Sequence, residues 1–315
     1  MQKKKRMRPS PPPDLSRITE QFLSQNYNYM WLKTMLNRGA NVTDSGSTLI
    51  TGSSHAVYGI EECAWKNAVN CSLDSQDLYY SFKGARRIIE SAKADSFRRC
   101  FIFVGYFTPY SDISLSEFQW ERLMAPVFVP IYNDAHNWKN PHKNDPWVGF
   151  SGLTEWMKAS CERAASAEIL KYGTYYSPLR KRTSFYDLNG RVWSDVAEDE
   201  KQAMGKDRAQ RHGRKYEASL TENKEILKEY VHFLNMNEVQ PIVVVPPYTS
   251  AYNQYISPEA KEAILELVGY VPEEIQYIDF NQNTTFDDLY FMDTDHLNER
   301  GAHIMSEILV KIFSW

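Results

Sequence analysis

Two short stretches carry residue types that can move protons and form acyl bonds. In LITGSSHAVYGI (49–60) an apolar run stops at Gly52 and is followed by Ser53, Ser54 and His55. In DLYFMDTDHLNERGAHI (288–304) Asp293 stands three residues before His296, with Asp295 between them. A serine is a weak nucleophile at neutral pH, so it needs a histidine within hydrogen-bond reach and a third group to orient that histidine. A carboxylate three residues before a histidine can fold back across a turn and accept from Nδ1, which leaves Nε2 to take a serine proton. Asp293 and His296 are the expected acid-base pair, and Ser53 or Ser54 supplies the hydroxyl.

Other histidines fit less well. In an extended or turning backbone His55 points away from the neighbouring serine, His136, His142 and His212 fall in or near a long interval, and His232 falls on an amphipathic helix. Asp293, Asp295, His296 and His303 could ligate a metal, but they lack the companion His or Cys cluster of a well-defined site, so neither metal nor cofactor is expected. In a purely structural role, Asp295 and Asn298 would cap a helix.

These stretches need a scaffold that brings residues 53–54 and 293–296 together. Five short segments rich in β-branched and apolar residues read as strands: 48–51, 67–71, 100–104, 242–245 and 275–280. Helical patterns alternate with them, one starting near Asp74, one over SLTENKEILKEYVHFL with Ile226, Leu227, Tyr230, Val231 and Leu234 on one face, and one capped by Asn298 with Ile304, Ile308, Leu309 and Ile312 as its stripe. That alternation predicts an α/β fold with a mainly parallel sheet covered on both faces. In such a sheet ligands bind beyond the carboxyl ends of the strands, where the TGSSH stretch emerges from the first strand. Pro246, Pro247 and Tyr248 should reach the same rim after the fourth.

The interval between strands three and four, about 107–219, exceeds what one crossover helix requires, so a lid or subdomain is inserted there. It holds Trp120, Trp138, Trp147, Trp156 and Trp193, which either face a sugar or acyl group or form the insert's own small core. Arg211 and His212 offer either an anchor for phosphate or carboxylate or part of a solvated charge run.

The 315 residues contain 36 basic and 40 acidic side chains, a balance that gives no global reason to bind nucleic acid. Cys63, Cys71, Cys100 and Cys161 form no CxxC pair and are expected to be reduced. No apolar run approaches membrane-helix length and no signal peptide is evident, so the chain as given reads as cytoplasmic. Residues 1–20, with the basic and proline-rich MQKKKRMRPSPPP, read as a disordered tail that could make peripheral contact with an anionic membrane, ahead of a single domain over 21–315.

Gly52-Ser53-Ser54 after the first strand and Asp293-x-x-His296 before the last helix resemble the SGNH (GDSL-type) hydrolase superfamily. The resemblance covers about 46–105 and 220–313 and implies a flavodoxin-like three-layer α/β/α sandwich. It assigns Ser54 as nucleophile, His296 as base and Asp293 as the residue that orients it, with Ser53 where the family usually has aspartate. It also implies oxyanion or substrate contacts near Ser53, Asn70, Ser72, Gly105, Tyr106 and Tyr248. Two departures stand out: no glycine follows strand two in register, and Phe107 occupies the place of the family's oxyanion asparagine. The GSSH variant and DTDHLNERGA are similar to bacterial D-alanyl transfer and polysaccharide-acylation proteins of that superfamily. That similarity implies a serine esterase or acyltransferase acting on a small ester of a carbohydrate or cell-envelope glycan. The alternative it leaves is a catalytically weak or inactive fold that binds a glycan or protein.

Overall fold

A computed structural model describes residues 27–65, 67–138, 188, 191–213 and 217–313. The basic tail, Trp147, Trp156, His142 and Cys161 lie outside the described residues. Five strands, β1 (Ser47–Thr51), β2 (Ala68–Asn70), β3 (Phe97–Phe103), β4 (Gln240–Val245) and β5 (Gln276–Asp279), pair in the order β2-β1-β3-β4-β5. Every ladder between them is parallel, and the order is that of flavodoxin-like doubly wound sheets. β3 begins three residues earlier than the apolar run suggests, because Phe97 is buried beside Ser47.

The strand residues alternate between two cores. Leu49, Cys100, Ile102, Val243 and Val245 point to one face and Ile50, Phe101, Phe103, Ile242 and Val244 to the other, as a period of two requires. The first face is covered by α1 (Tyr27–Ala40), α3 (Leu78–Ser91), α5 (Glu217–Met236) and α7 (Pro258–Gly269). The second is covered by the short α2 (Ser54–Gly59) and by α8 (Glu299–Phe313), with Trp193 and Phe280 filling between. All five predicted apolar positions of α5 are buried.

Two helix readings need correction. α3 starts at Leu78 rather than near Asp74, because Asp77 is its cap and accepts from the Tyr80 amide at 3.0 Å. In α8 Asn298 caps as expected through Gly301 N–H, but the buried stripe is Ala302, Met305, Leu309 and Phe313. Ile312 is exposed because Phe313, whose ring lies against Phe101, takes the inward position.

The interval after β3 is structured where described. It runs through short turns at Thr108–Tyr110 and Ile113–Leu115 into a helical stretch whose middle, Trp120–Phe128, is π-helical. The Asn223 amide on α5 donates to the carbonyls of Thr108, Pro109 and Ser111 and so fixes the first turn to the body of the domain. Trp120 and Trp138 stack at 4.2 Å and Trp193 is fully buried, so these three serve packing. α4 (Glu198–His212) follows and packs against α6 (Ser250–Asn253) at the β4 rim. Cys63, Cys71 and Cys100 are free, and burial pushes the thiols of Cys71 and Cys100 up to about 12. Among the described residues no helix is long and apolar enough to cross a membrane.

Candidate active site

The chain leaves β1 through Gly52, whose φ of +148° is open to glycine and rarely to other residues. A Cβ there would lie 2.6 Å from Phe103 Cβ, so the close approach of β3 also demands glycine. Ser53 is then extended (φ −89°, ψ −160°) and Ser54 opens α2. As the first helical residue Ser54 has an N–H with no intrahelical acceptor. Its side chain points to the β5-α8 connection.

That connection is tightly closed. Phe291 and Leu297 form an antiparallel bridge, and Met292 N–H donates to His296 O at 2.9 Å. Asp293 Oδ1 accepts from the amides of Asp295 and His296 at 3.1 and 3.0 Å. Thr249, beyond β4, donates its hydroxyl to Thr294 O at 2.6 Å, which fastens the loop to the neighbouring strand end. In this frame His296 Nδ1 donates to Asp293 Oδ1 at 2.9 Å and Nε2 lies 2.9 Å from Ser54 Oγ. Because a carboxylate only accepts, Nδ1 carries the proton in neutral His296 and Nε2 is free to receive one from serine. Burial alone would depress the His296 pKa, but the charge of Asp293, helped by Asp295, outweighs it and the net shift is upward.

A second chain of the same residue types runs beside the first. Ser53 Oγ lies 3.3 Å from His55 Nδ1, and His55 Nε2 faces Asp295 Oδ2 at 3.4 Å, an electrostatic contact without the alignment of a hydrogen bond. The His55 ring stacks on His296 with centroids 4.9 Å apart. Burial holds the His55 pKa down. Burial would raise the Asp295 pKa, but the Arg208 guanidinium, bound bidentately at 3.0 Å, holds it well below the carboxylate range. Two imidazoles stacked this closely cannot share two positive charges, and it is His296, not His55, that contacts Ser54.

Sequence reasoning sets His55 aside as the base for Ser54, in line with its contact to Ser53, but gives no role to a second chain or to Arg208. The premise of an extended backbone sets His55 aside, whereas residues 54–59 are helical and adjacent side chains diverge by about 100°. The available signal for α4 is the i, i+3, i+4 spacing of Arg208, Arg211 and His212.

Ser54 opens into a cleft of about 260 Å³ lined by Ser75, Phe107, Tyr110, Asp112 and Ile113 together with Arg208, Arg211 and His212 of α4. The remaining predicted contacts lie behind this surface. Asn70 donates to Ala56 O at 2.9 Å, and Ser72 is fully buried. Gly105 N–H donates to Thr108 Oγ1, and Tyr106 Oη accepts from Asn281. Tyr248 is buried with its ring 5.2 Å from His55, where it supports the second chain rather than lining the cleft. From the loop after β2 it is Ser75, in a left-handed conformation (φ +63°), that reaches the cleft. Phe107 packs beside His212 and forms an apolar wall.

His55, Asp295 and His296 present ligand atoms within 4.8 Å of one another. A cation fits poorly there, since Arg208 already neutralises Asp295 and both nitrogens of His296 are engaged. His303 is remote from this group and pairs with Glu61 on the surface.

No protein-family model matches the chain, and no curated protein matches it. Among solved structures, one described as "a putative platelet activating factor from Streptococcus pneumonia" aligns over 97% of this chain and 100% of its own, with 9% identity and a TM-score of 0.44. A likeness at that level carries no argument about activity, which has to come from the geometry.

Proposed function

We propose that this protein is an SGNH-type serine esterase or acyltransferase that acts on a small acyl group. The observation that carries the reading is the unbroken line from Ser54 Oγ through His296 to Asp293, with both links at 2.9 Å. Ser54 attacks the ester carbonyl as its proton passes to His296 Nε2. The tetrahedral oxyanion is met by the Ser54 amide, and His296 returns the proton to the leaving alcohol. Water, or a hydroxyl of an acceptor, then releases the acyl group from Ser54. A carbohydrate or cell-envelope glycan as the carrier rests on the sequence resemblance alone.

One observation favours a second reading, a module that binds such a glycan or a protein without turning it over. Asn70 has a hydrogen committed to Ala56 O, Ser72 is buried, and Phe107 replaces the family's asparagine, so the oxyanion has few donors. Loss of one such donor costs about 100-fold or more in kcat.

The pH dependence of kcat/KM on a short-chain aryl ester separates the two. His296 acts only when neutral, and its pKa is raised above 6.5, so activity should rise through a limb centred above pH 6.5. In Asp293→Asn the main upward influence is gone and burial remains, so the limb moves to lower pH while the plateau falls by up to about 10⁴-fold. Hydrolysis absent at every pH would favour the binding module, and a limb that ignores Asp293→Asn would remove His296 from the base role.

A further inference from the structure

The lining of the Ser54 cleft comes from two stretches of chain, and their chemistry bears on the substrate. Phe107, Tyr110 and Ile113 supply rings and aliphatic surface among the hydroxyls of Ser75, Ser111 and Ser116. The remainder comes from one face of α4, where Arg208, Arg211 and His212 recur at helical spacing. These side chains differ in how far they are committed. Arg208 is fixed on the buried Asp295. His212 Nδ1 is held by Tyr252 Oη at 2.6 Å. Among the described residues Arg211 pairs only with Asp207 one turn earlier, and both side chains are open to solvent, at 62% and 47% exposure. An exposed pair at that spacing is weak and exchanges easily. The carboxylate among the lining residues is Asp112, which is 5% exposed and already bound by the amide and hydroxyl of Ser114 and by the Asn137 amide. His136 Nδ1 lies 3.4 Å from the same carboxylate, so its charge is shared among these partners. A cleft of about 260 Å³ has room for a short acyl group and a small charged substituent beside it.

We propose that this cleft, with Ser54 as its nucleophile, selects short acyl esters bearing an oxyanion group, a carboxylate or phosphate, near the ester, and that Arg211 leaves Asp207 to bind it while Arg208 and His212 shape the wall. This selectivity rests on the serine chemistry proposed for the site. Arg211 is then its specificity residue. Of the two sequence readings of Arg211 and His212, an anion anchor or part of a solvated charge run, this proposal takes the first for Arg211.

The test compares kcat/KM of the full chain on matched meta-substituted phenyl acetates carrying carboxylate, phosphate, carboxamide or trimethylammonium, each normalised to its rate with hydroxide. One or both anionic esters should exceed the carboxamide by about tenfold, with an advantage that shrinks as ionic strength rises. Whichever anion gains more names the source of the group. Arg211→Gln should bring the anion-to-carboxamide ratio close to one, and Arg211→Lys should restore part of it. Equal rates on all four esters, or a preference for the cation, overturn anion selection and leave the serine chemistry standing. A ratio unchanged in Arg211→Gln overturns the assignment of Arg211. Absence of hydrolysis of every ester overturns the proposal together with the reading on which it rests.

Discussion

Ser54→Ala is expected to lower kcat on any turned-over ester by at least about 10⁴-fold, leaving only the residual acceleration that binding and the oxyanion donors provide. The size follows from the site's construction. The Ser54 hydroxyl is the group of the cleft that His296 Nε2 contacts, and Ser53 lies on the far chain with His55. The folded state should lose little, about 1–3 kcal/mol for a buried histidine nitrogen left without its partner. Single-turnover rates on purified protein with a matched urea titration measure both quantities. A variant that keeps more than about a hundredth of the rate would move the nucleophile to another residue.

Arg208→Ala carries the largest expected stability effect. Asp295 is fully buried and its charge is balanced mainly by the bidentate guanidinium, itself mostly covered. Removing one partner of such a pair strands the other, at a cost of about 3–5 kcal/mol. The same loss exposes His296, 3.5 Å from Asp295, to an unbalanced negative charge, so the acid limb of kcat/KM should move to higher pH. Arg208→Lys keeps the charge without the fork and should fall between. Urea denaturation gives the stability change. A loss under about 1 kcal/mol would mean that Asp295 is neutralised by another route.

The fold is legible in the sequence because each of its cues is local. Near-continuous apolar runs in 48–51, 100–104 and 242–245 mark strands buried on both faces, and the stripe from Ile226 to Leu234 marks a covering helix. Asp293 and His296 are legible for the same reason, since their contact spans one turn. Arg208 is hidden, because Asp295 lies 87 positions further on and no local pattern announces the pairing. The oxyanion side escapes sequence reasoning for a related reason. β2 ends at Asn70 and the following loop swings inward, which buries Ser72 and brings Ser75 to the cleft, and no short-range pattern encodes that swing. The shift of Ile312 to the surface shows the same limit, in that helical period gives a stripe but tertiary contact with Phe101 decides its phase.

The proposed chemistry stands or falls on Ser54 being an activated nucleophile. Treating the folded protein with a fluorophosphonate probe and locating the adduct by peptide mass spectrometry, with His296→Ala as the comparison, reads this without knowledge of the substrate. The expected result is an adduct on Ser54 that is lost in His296→Ala. No adduct, or an adduct on Ser53, would contradict it.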